Sequence, residues 1–119
     1  MATIPAAPSE ILDALFGVIE ARRDERPDGS YVVSLLDGGW DAMAAKVREE
    51  AEEVCTAARE EGDDALAREV ADLFFHVFVV LASRGVSPES VYGELARRFG
   101  IGGLDEKAAR NAREEGSSA

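Results

Sequence analysis

Cysteine is nearly absent from the chain, which has a single one, Cys55, among 119 residues. One cysteine excludes an internal disulfide, and such sparse use of cysteine is typical of a reducing compartment. Residues 1–8 also lack the basic start and apolar stretch of a secretory signal. We therefore expect a cytoplasmic protein in which Cys55 is a small apolar residue of the core.

Long apolar runs and excess positive charge are also missing. No stretch approaches the ~18 consecutive apolar residues that a membrane-spanning helix requires. The 24 acidic residues outnumber the 13 Lys and Arg residues and give a formal net charge of −11. Because the basic footprint of nucleic-acid-binding proteins is absent, we expect neither a nucleic-acid nor a membrane partner. An acidic protein can still bind a polyphosphate if metal ions lie between the like charges.

What the chain does contain is apolar residues at helical spacing. The pattern predicts helices over about residues 10–23, 40–61, 64–84 and 88–99, with a short polar helix at 105–113. The segment 31–36 has strand propensity, but no partner strand exists, so we expect an ordered loop or a short helical turn there. The predicted fold class is all-α, a bundle of four to five helices.

The positions of these helices divide the chain into three predicted segments. They are a flexible leader, a helical domain and a Gly-containing polar tail, at residues 1–9, 10–99 and 100–119. Between residues 70 and 82, every side chain is apolar except those of Asp72 and His76. A helix that is apolar nearly all round belongs in the centre of a bundle. In a chain this short, we expect that helix to contact a second subunit as well.

Two acidic motifs lie within the predicted helices. Glu49, Glu50 and Glu53 form the first motif, and Glu69 and Asp72 form the second. Residues three and four apart share one face of a helix, and the short connection makes the two helices antiparallel neighbours. The two acidic faces can therefore meet. Carboxylates gathered in this way need cations, and Mg²⁺ prefers oxygen ligands of this kind, so the sequence predicts a magnesium site.

The acidic residues also have simpler interpretations. Charged side chains on a helix usually form a solvated face. Asp72 lies in an apolar run and should be buried, but Arg68, one turn earlier, could neutralise it. Glu49 and Glu50 could likewise pair with Lys46 or Arg48 on a wet surface, where such pairs contribute little. Spacing alone leaves these alternatives open.

His76 is the only histidine of the chain. It lies one turn after Asp72, so both side chains could bind the same metal ion. However, the di-iron sites of ferritin-like bundles need two Glu-x-x-His motifs, and this chain has none. We therefore expect His76 to be a hydrogen-bonded core or interface residue, which as a neutral imidazole could still contact a phosphate or an attacking water.

Glu-Glu-x-x-Glu followed by Glu-x-x-Asp is also a family pattern. Through it the chain resembles the all-α, MazG-like nucleotide pyrophosphohydrolases, and within them the phosphoribosyl-ATP pyrophosphohydrolases. The resemblance covers roughly residues 10–99. The narrower resemblance rests on further shared residues, which include Pro27, Gly29, Ser30, Tyr31, Lys46, His76, Arg84 and Gly85.

The resemblance implies a Mg²⁺-dependent enzyme that cleaves the α–β phosphoanhydride of phosphoribosyl-ATP. The products would be phosphoribosyl-AMP and pyrophosphate, in the second step of histidine biosynthesis. It also implies an intertwined homodimer with sites between the helices of the bundle. The implied catalytic residues are Glu49, Glu50, Glu53, Glu69 and Asp72, and the last four of them would hold the metal. The implied substrate contacts are Lys46, Ser30, Tyr31 and His76.

Two other functions are compatible with the same residues. A house-cleaning MazG-like dNTP pyrophosphatase would share the metal site and differ in the pocket for the base. An acidic helical interaction protein without catalysis would need its glutamates only for solubility. Turnover of phosphoribosyl-ATP against a panel of dNTPs separates these alternatives.

Overall fold

A computed structural model of the chain describes residues 10–100 and residue 111. Within these residues it has five helices and no strand, which confirms the predicted all-α fold. The helices are α1 (Ile11–Glu25), α2 (Tyr31–Asp37), α3 (Gly39–Glu60), α4 (Asp63–Ser83) and α5 (Pro88–Gly100). None of them is long and apolar enough to cross a membrane. The expected leader at 1–9 and, apart from residues 100 and 111, the expected tail with its helix at 105–113 lie outside the described residues.

The segment expected to be a loop or a helical turn is the short helix α2. The Ser30 hydroxyl accepts the backbone N–H of Val33 at 3.3 Å, which is typical of a helix N-cap. Gly29 precedes it with φ of +76°, a conformation that favours glycine. Val32 and Leu35, three residues apart, are both buried. Burial of one helical face therefore outweighs the strand propensity of the β-branched residues.

The two long helices form a hairpin. α3 and α4 are joined by a short turn at Glu61, so α4 runs back along α3 in the most extensive helix contact of the described chain. Glu50 and Asp72 are equally far along the chain from Glu61, and so are Glu53 and Glu69. Because both helices rise by the same amount per residue, the members of each pair lie at the same level. The hairpin thus brings the two acidic motifs together.

The apolar core lies away from that turn, where α1 and α2 pack against α4. Phe16 of α1 and Phe78 of α4 meet edge to face, with ring centroids 5.7 Å apart. Ile19 and Val79 are fully buried. The buried cluster consists of Phe16, Ile19, Val32, Leu35, Met43, Phe78, Val79 and Ala82. The second half of α4 therefore builds the core, and its first half carries the acidic motif.

Cys55 is exposed on α3, so the expectation that it belongs to the core is wrong. The buried residues of this helix include Met43, Glu50 and Ala57, which recur every seventh position and share one face. Cys55 lies two residues before Ala57 and therefore points roughly 200° away from that face. Its apolar character does not override this helical geometry.

The described residues fall into two compact units that divide between Val86 and Ser87. The first unit contains α1 to α4 and the core described above. The second contains α5, which begins at Pro88 after a Ser87 hydroxyl that accepts the backbone N–H of Glu89 at 3.2 Å. The single domain expected for residues 10–99 remains a prediction.

Replacement of the buried Ile19 by alanine should destabilise the first unit strongly. We expect Ile19→Ala to lower the free energy of unfolding by about 2–5 kcal/mol, because it removes buried methyl groups and leaves a cavity. Ile11, on the same helix, is 47% exposed, so Ile11→Ala should stay within about 1 kcal/mol of the wild type. Urea denaturation of both variants measures the difference. Equal losses in the two variants would contradict the position of the core.

Candidate metal and substrate site

Three carboxylates meet where the α3–α4 hairpin brings its acidic motifs to one level. Glu50 comes from α3, and Glu69 and Asp72 come from α4. One oxygen from each of the three lies within 4.8 Å of the others, close enough for one cation to contact all three. We call these residues the carboxylate cluster. Their arrangement follows from the i,i+3 spacing of Glu69 and Asp72 and from the position of the turn.

Glu50 is the buried member of the cluster, with only 6% of its surface exposed. Its Oε1 lies 3.4 Å from the Lys46 ammonium. Among the residues that the structure describes, neither Glu50 Oε2 nor Glu69 Oε2 has a hydrogen-bond partner, although both atoms are buried. A buried carboxylate oxygen without a partner is costly, so this pair of oxygens destabilises the site when no cation is bound.

The electrostatics of Glu50 reflect this environment. Burial raises the pKa of the Glu50 carboxyl above its usual value, and the neighbouring Glu53 carboxylate raises this pKa further. Lys46 acts in the opposite direction and lowers it, but does not cancel the increase. Without a divalent cation, the folded chain therefore binds a proton at Glu50 more readily than the unfolded chain does. A bound cation would favour the ionised form instead.

Asp72 is exposed, so the expectation that its position in an apolar run buries it is wrong. The neighbouring residues Ala71 and Phe74 are exposed too, and continuous burial on α4 begins only around His76. Asp72 therefore lies at the solvent side of the carboxylate cluster. The alternative partner, Arg68, makes no ion pair with Asp72 among the described side chains, which leaves the Asp72 carboxylate free to face the cluster.

The three glutamates next to Glu50 in the motif, Glu49, Glu52 and Glu53, lie outside the carboxylate cluster. Glu53 is exposed and lies beside Glu50, whose pKa it influences, but it is not one of the three carboxylates within 4.8 Å. Glu49 is also exposed, and its Oε1 lies 3.4 Å from Lys46. Glu52 is exposed as well, as the solvated face predicts. Glu53 thus borders the cluster, whereas Glu49 lies next to Lys46.

Lys46 is the cation nearest to the cluster. Its side chain is half-buried and pairs with both Glu49 and Glu50, in the i,i+3 and i,i+4 positions. Burial lowers the pKa of this ammonium, but the Tyr31 oxygen, Glu49 and Glu50 together outweigh burial and raise it. Lys46 therefore remains charged. The arrangement differs from a fully exposed surface pair, because Glu50 is buried.

His76 and Tyr31 form a hydrogen-bonded pair between α4 and α2. The Tyr31 hydroxyl lies 2.8 Å from His76 Nε2, and His76 Nδ1 lies 2.7 Å from the backbone carbonyl of Asp72. His76 is buried, whereas Tyr31 is 47% exposed. Phe75 stacks on the Tyr31 ring with centroids 6.0 Å apart. Sequence reasoning missed this stacking, because 31 and 75 are far apart in the chain and no local motif links them.

Ser30 and Tyr31 also line an open pocket between the end of α1 and the end of α2. Its volume is about 600 Å³, within the range of small-molecule pockets. Arg26 and Asp37 form an ion pair at 2.5 Å on its wall, which sequence reasoning also missed. The Ser30 hydroxyl is occupied as the N-cap of α2. The pocket lining consists of Arg26, Pro27, Asp28, Gly29, Ser30, Tyr31, Val33, Ser34 and Asp37.

The residues of the cluster fit a hard divalent cation. All the donors are carboxylate oxygens, the ligands that Mg²⁺ prefers. Two of those carboxylates have a buried oxygen without a partner, which a cation would satisfy. His76 is not a candidate ligand in this arrangement, because protein groups occupy both of its ring nitrogens.

Comparisons with known proteins find similar chains. A family described as phosphoribosyl-ATP pyrophosphohydrolase matches residues 12–99. The chain is 48% identical over 101 residues to a phosphoribosyl-ATP pyrophosphatase of Chromobacterium violaceum, which covers 85% of this chain and 94% of that protein. A protein of the same name from Rhodopirellula baltica is 44% identical over 112 residues, covering 91% and 92%. The histidine biosynthesis bifunctional protein HisIE of Helicobacter hepaticus is 43% identical over 106 residues, covering 89% of this chain and 46% of that protein.

Neutralisation of Glu50 should stabilise the protein in the presence of a chelator. We expect Glu50→Gln to raise Tm by a few degrees at neutral pH, because it removes a buried charge that lies among other carboxylates. In a domain of this size, about 1 kcal/mol corresponds to roughly 4 °C. Glu52→Gln, on the exposed face, is the matched control and should change Tm little.

The same variant should change the pH dependence of stability. Because the folded pKa of Glu50 is raised above its ordinary value of 4.5, this residue contributes stability that is fully present below about pH 4.5 and is lost as the pH rises through the raised pKa. Glu50→Gln should lack that loss. Measurement of Tm in chelator at a series of pH values from about 4.5 upward tests this prediction. The same dependence of Tm on pH in the wild type and in Glu50→Gln would contradict the burial of a costly charge.

Proposed function

The chain belongs to the phosphoribosyl-ATP pyrophosphohydrolase family, and from this membership we propose that it hydrolyses the α–β phosphoanhydride of phosphoribosyl-ATP. The products are phosphoribosyl-AMP and pyrophosphate, in the second step of histidine biosynthesis. The observation that carries the mechanism is the pair of buried, unpartnered oxygens on Glu50 and Glu69. They lie in a site suited to a divalent cation and therefore to a polyphosphate.

Glu50, Glu69 and Asp72 would hold Mg²⁺, and Glu53 borders them closely enough to complete the set. When bound, Mg²⁺ supplies charge neutralisation on the phosphates and activation of water. The protein contributes the arrangement. Glu50 is fixed by burial and by Lys46, whereas Asp72 lies at the rim, where a substrate can approach from solvent.

The remaining site residues have distinct surroundings. The side chain of Lys46 is partly exposed beside the cluster and can contact a phosphate of the substrate. Glu49 is exposed next to Lys46 and is a candidate to accept a proton from water. Tyr31 offers an exposed ring to the substrate, and Ser30 holds the turn that presents it. His76 was a candidate substrate contact, but both of its nitrogens already have protein partners.

A cytoplasmic homodimer is part of the proposal. An apolar groove of about 290 Å³ runs between α3 and α4 and is lined by Trp40, Ala44, Val47, Arg48, Val77 and Val80. Trp40 on α3 is 61% exposed and Phe74 on α4 is 46% exposed, so both helices present a large apolar side chain to solvent. A second copy of the chain, bound in this groove, would bury the apolar faces of α3 and α4 that line it.

The direct test of function is pyrophosphate release from purified protein. We expect release from phosphoribosyl-ATP in millimolar Mg²⁺, none in excess chelator, and much slower turnover of a dNTP panel. Comparable turnover of dNTPs would favour a house-cleaning pyrophosphatase. No release from any nucleotide would favour an acidic interaction protein.

Two variants locate the chemistry. Asp72→Asn and Glu53→Gln should each lower the rate more than about 100-fold. Loss of a residue that only supports a metal ligand typically costs about 10–100-fold, and loss of a ligand itself should cost more. Both should retain the helical circular-dichroism spectrum. Glu52→Gln is the matched control and should keep wild-type turnover. Full activity in either site variant would remove that residue from the site.

A further inference from the structure

The aromatic ring of Tyr31 has a fixed orientation. Its hydroxyl lies 2.8 Å from His76 Nε2, and His76 Nδ1 lies 2.7 Å from the backbone carbonyl of Asp72. A carbonyl only accepts hydrogen bonds, so Nδ1 carries the hydrogen of the neutral imidazole and Nε2 is the acceptor. The Tyr31 hydroxyl therefore donates its hydrogen to His76. This donation increases the electron density of the tyrosine ring.

The contacts of this ring leave part of its surface open. Phe75 stacks on Tyr31 with an angle of 17° between the two rings, and His76 meets the hydroxyl edge. Tyr31 is nevertheless exposed, and it lines the open pocket of about 600 Å³ between α1 and α2. An ordered and exposed aromatic ring beside a pocket suits a flat ligand that stacks on it. A purine base is such a ligand.

The charges that line the pocket favour a positively charged ligand. The charged lining residues are Arg26, Asp28 and Asp37. Arg26 and Asp37 neutralise each other in an ion pair. The exposed Asp28 carboxylate makes no hydrogen bond or ion pair among the residues that the structure describes. The pocket therefore keeps an uncompensated negative charge, which attracts a cation and repels phosphate groups.

The base of phosphoribosyl-ATP differs in charge from the base of ATP. Its second ribose is attached to N1 of the adenine ring, and an adenine alkylated at N1 is protonated at neutral pH and carries a positive charge. The adenine of ATP is neutral at the same pH. A cation is attracted to the face of a tyrosine ring by the quadrupole of the ring. The charge of the base is therefore a feature by which this pocket can distinguish the two nucleotides.

The pocket also lies close to the carboxylate cluster. One imidazole ring separates the Tyr31 hydroxyl from the backbone of Asp72, whose carboxylate belongs to the cluster. In a nucleotide, only one ribose separates the base from the α-phosphate. A nucleotide with its phosphates at the cluster can therefore reach Tyr31 with its base.

We propose that Tyr31 and Asp28 recognise the positively charged base of phosphoribosyl-ATP and thereby discriminate against ATP. This inference rests on the proposed function, because it takes phosphoribosyl-ATP as the substrate. Tyr31 stacks on the cationic ring, and the Asp28 carboxylate attracts its charge from the wall of the pocket. Discrimination matters because ATP contains the same α–β phosphoanhydride, and its hydrolysis would deplete a nucleotide that every cell needs.

Nucleosides without phosphates test this recognition in excess chelator, where neither metal nor catalysis contributes. We expect 1-methyladenosine, which carries the charge, to bind at least about 5-fold more tightly than adenosine and its neutral methylated isomer N6-methyladenosine. ¹H–¹³C spectra of the two tyrosine rings follow binding. The signals of Tyr31 should shift, and Tyr92 serves as the internal control. Equal affinities, no binding of 1-methyladenosine, or unshifted Tyr31 signals would overturn the proposal.

Variants separate the contributions of the ring and the carboxylate. Tyr31→Leu removes the ring and should abolish the preference for 1-methyladenosine, whereas Tyr31→Phe keeps a ring and should retain part of it. Asp28→Asn should reduce the preference about 2-fold, because its charge is exposed and screened by salt. Asp64→Asn removes the same charge from the exposed first turn of α4, outside the pocket lining, and is the matched control. An unchanged preference in Tyr31→Leu or in Asp28→Asn would overturn the role of that residue.

Turnover in Mg²⁺ connects this recognition to the enzyme. The ratio of kcat/KM for phosphoribosyl-ATP to kcat/KM for ATP should fall at least about 5-fold in Tyr31→Leu, because the value for phosphoribosyl-ATP falls. Asp64→Asn should keep the wild-type ratio. Pyrophosphate release by the wild type with an unchanged ratio in Tyr31→Leu would overturn only the recognition of charge. No release from phosphoribosyl-ATP by the wild type would contradict the proposed function itself, and with it the substrate assumed here.

Discussion

A negative charge held inside the α3–α4 hairpin is the constraint on which the site depends. Glu50 is buried beside Glu69 and close to Glu53, and burial raises the pKa of its carboxyl. Lys46 compensates one oxygen of this carboxylate and leaves the other without a partner. A folded protein tolerates such an arrangement when an additional cation is part of its working state. A divalent cation would therefore neutralise both the carboxylate cluster and the phosphates on which members of the family act.

The fold separates the part of the chain that forms the apolar core from the part that carries the candidate site. Along α4, the carboxylates of Glu69 and Asp72 come first, and the buried Phe78 and Val79 follow about two turns after Asp72. The apolar core, to which α1, α2 and α3 also contribute, anchors the second half of this helix. His76 lies at the border, where it links the backbone of Asp72 to Tyr31 of α2. The position of the carboxylate cluster is thus fixed by a core to which its side chains do not contribute.

Much of this arrangement can be predicted from local patterns. Helical periodicity identifies the helices, and the three-residue spacing of Glu69 and Asp72 places their carboxylates on one face. The short turn at Glu61 then implies that these residues meet the motif around Glu50. The acidic motifs indicate the MazG-like superfamily, and Ser30, Tyr31 and Lys46 indicate the narrower family, which the comparisons confirm.

What the patterns could not supply is which side chain is buried and which partner it finds. Asp72 was expected inside because its neighbours are apolar, yet Glu50 is the buried carboxylate. Cys55 was expected in the core and is exposed, because the buried face of α3 follows every seventh residue. The bond between Tyr31 and His76 joins helices that are distant in sequence. Such contacts depend on the packing of whole helices, which no window of residues encodes.

Diffraction at the manganese absorption edge, from crystals grown with Mn²⁺ in place of Mg²⁺, tests the central claim most directly. We predict an anomalous peak in contact with carboxylate oxygens of Glu50, Glu69 and Asp72, and no such peak in crystals of Glu50→Gln. A wild-type map without a peak at this position, with the Glu50 carboxylate paired only to Lys46, would contradict the claim that a divalent cation completes the site.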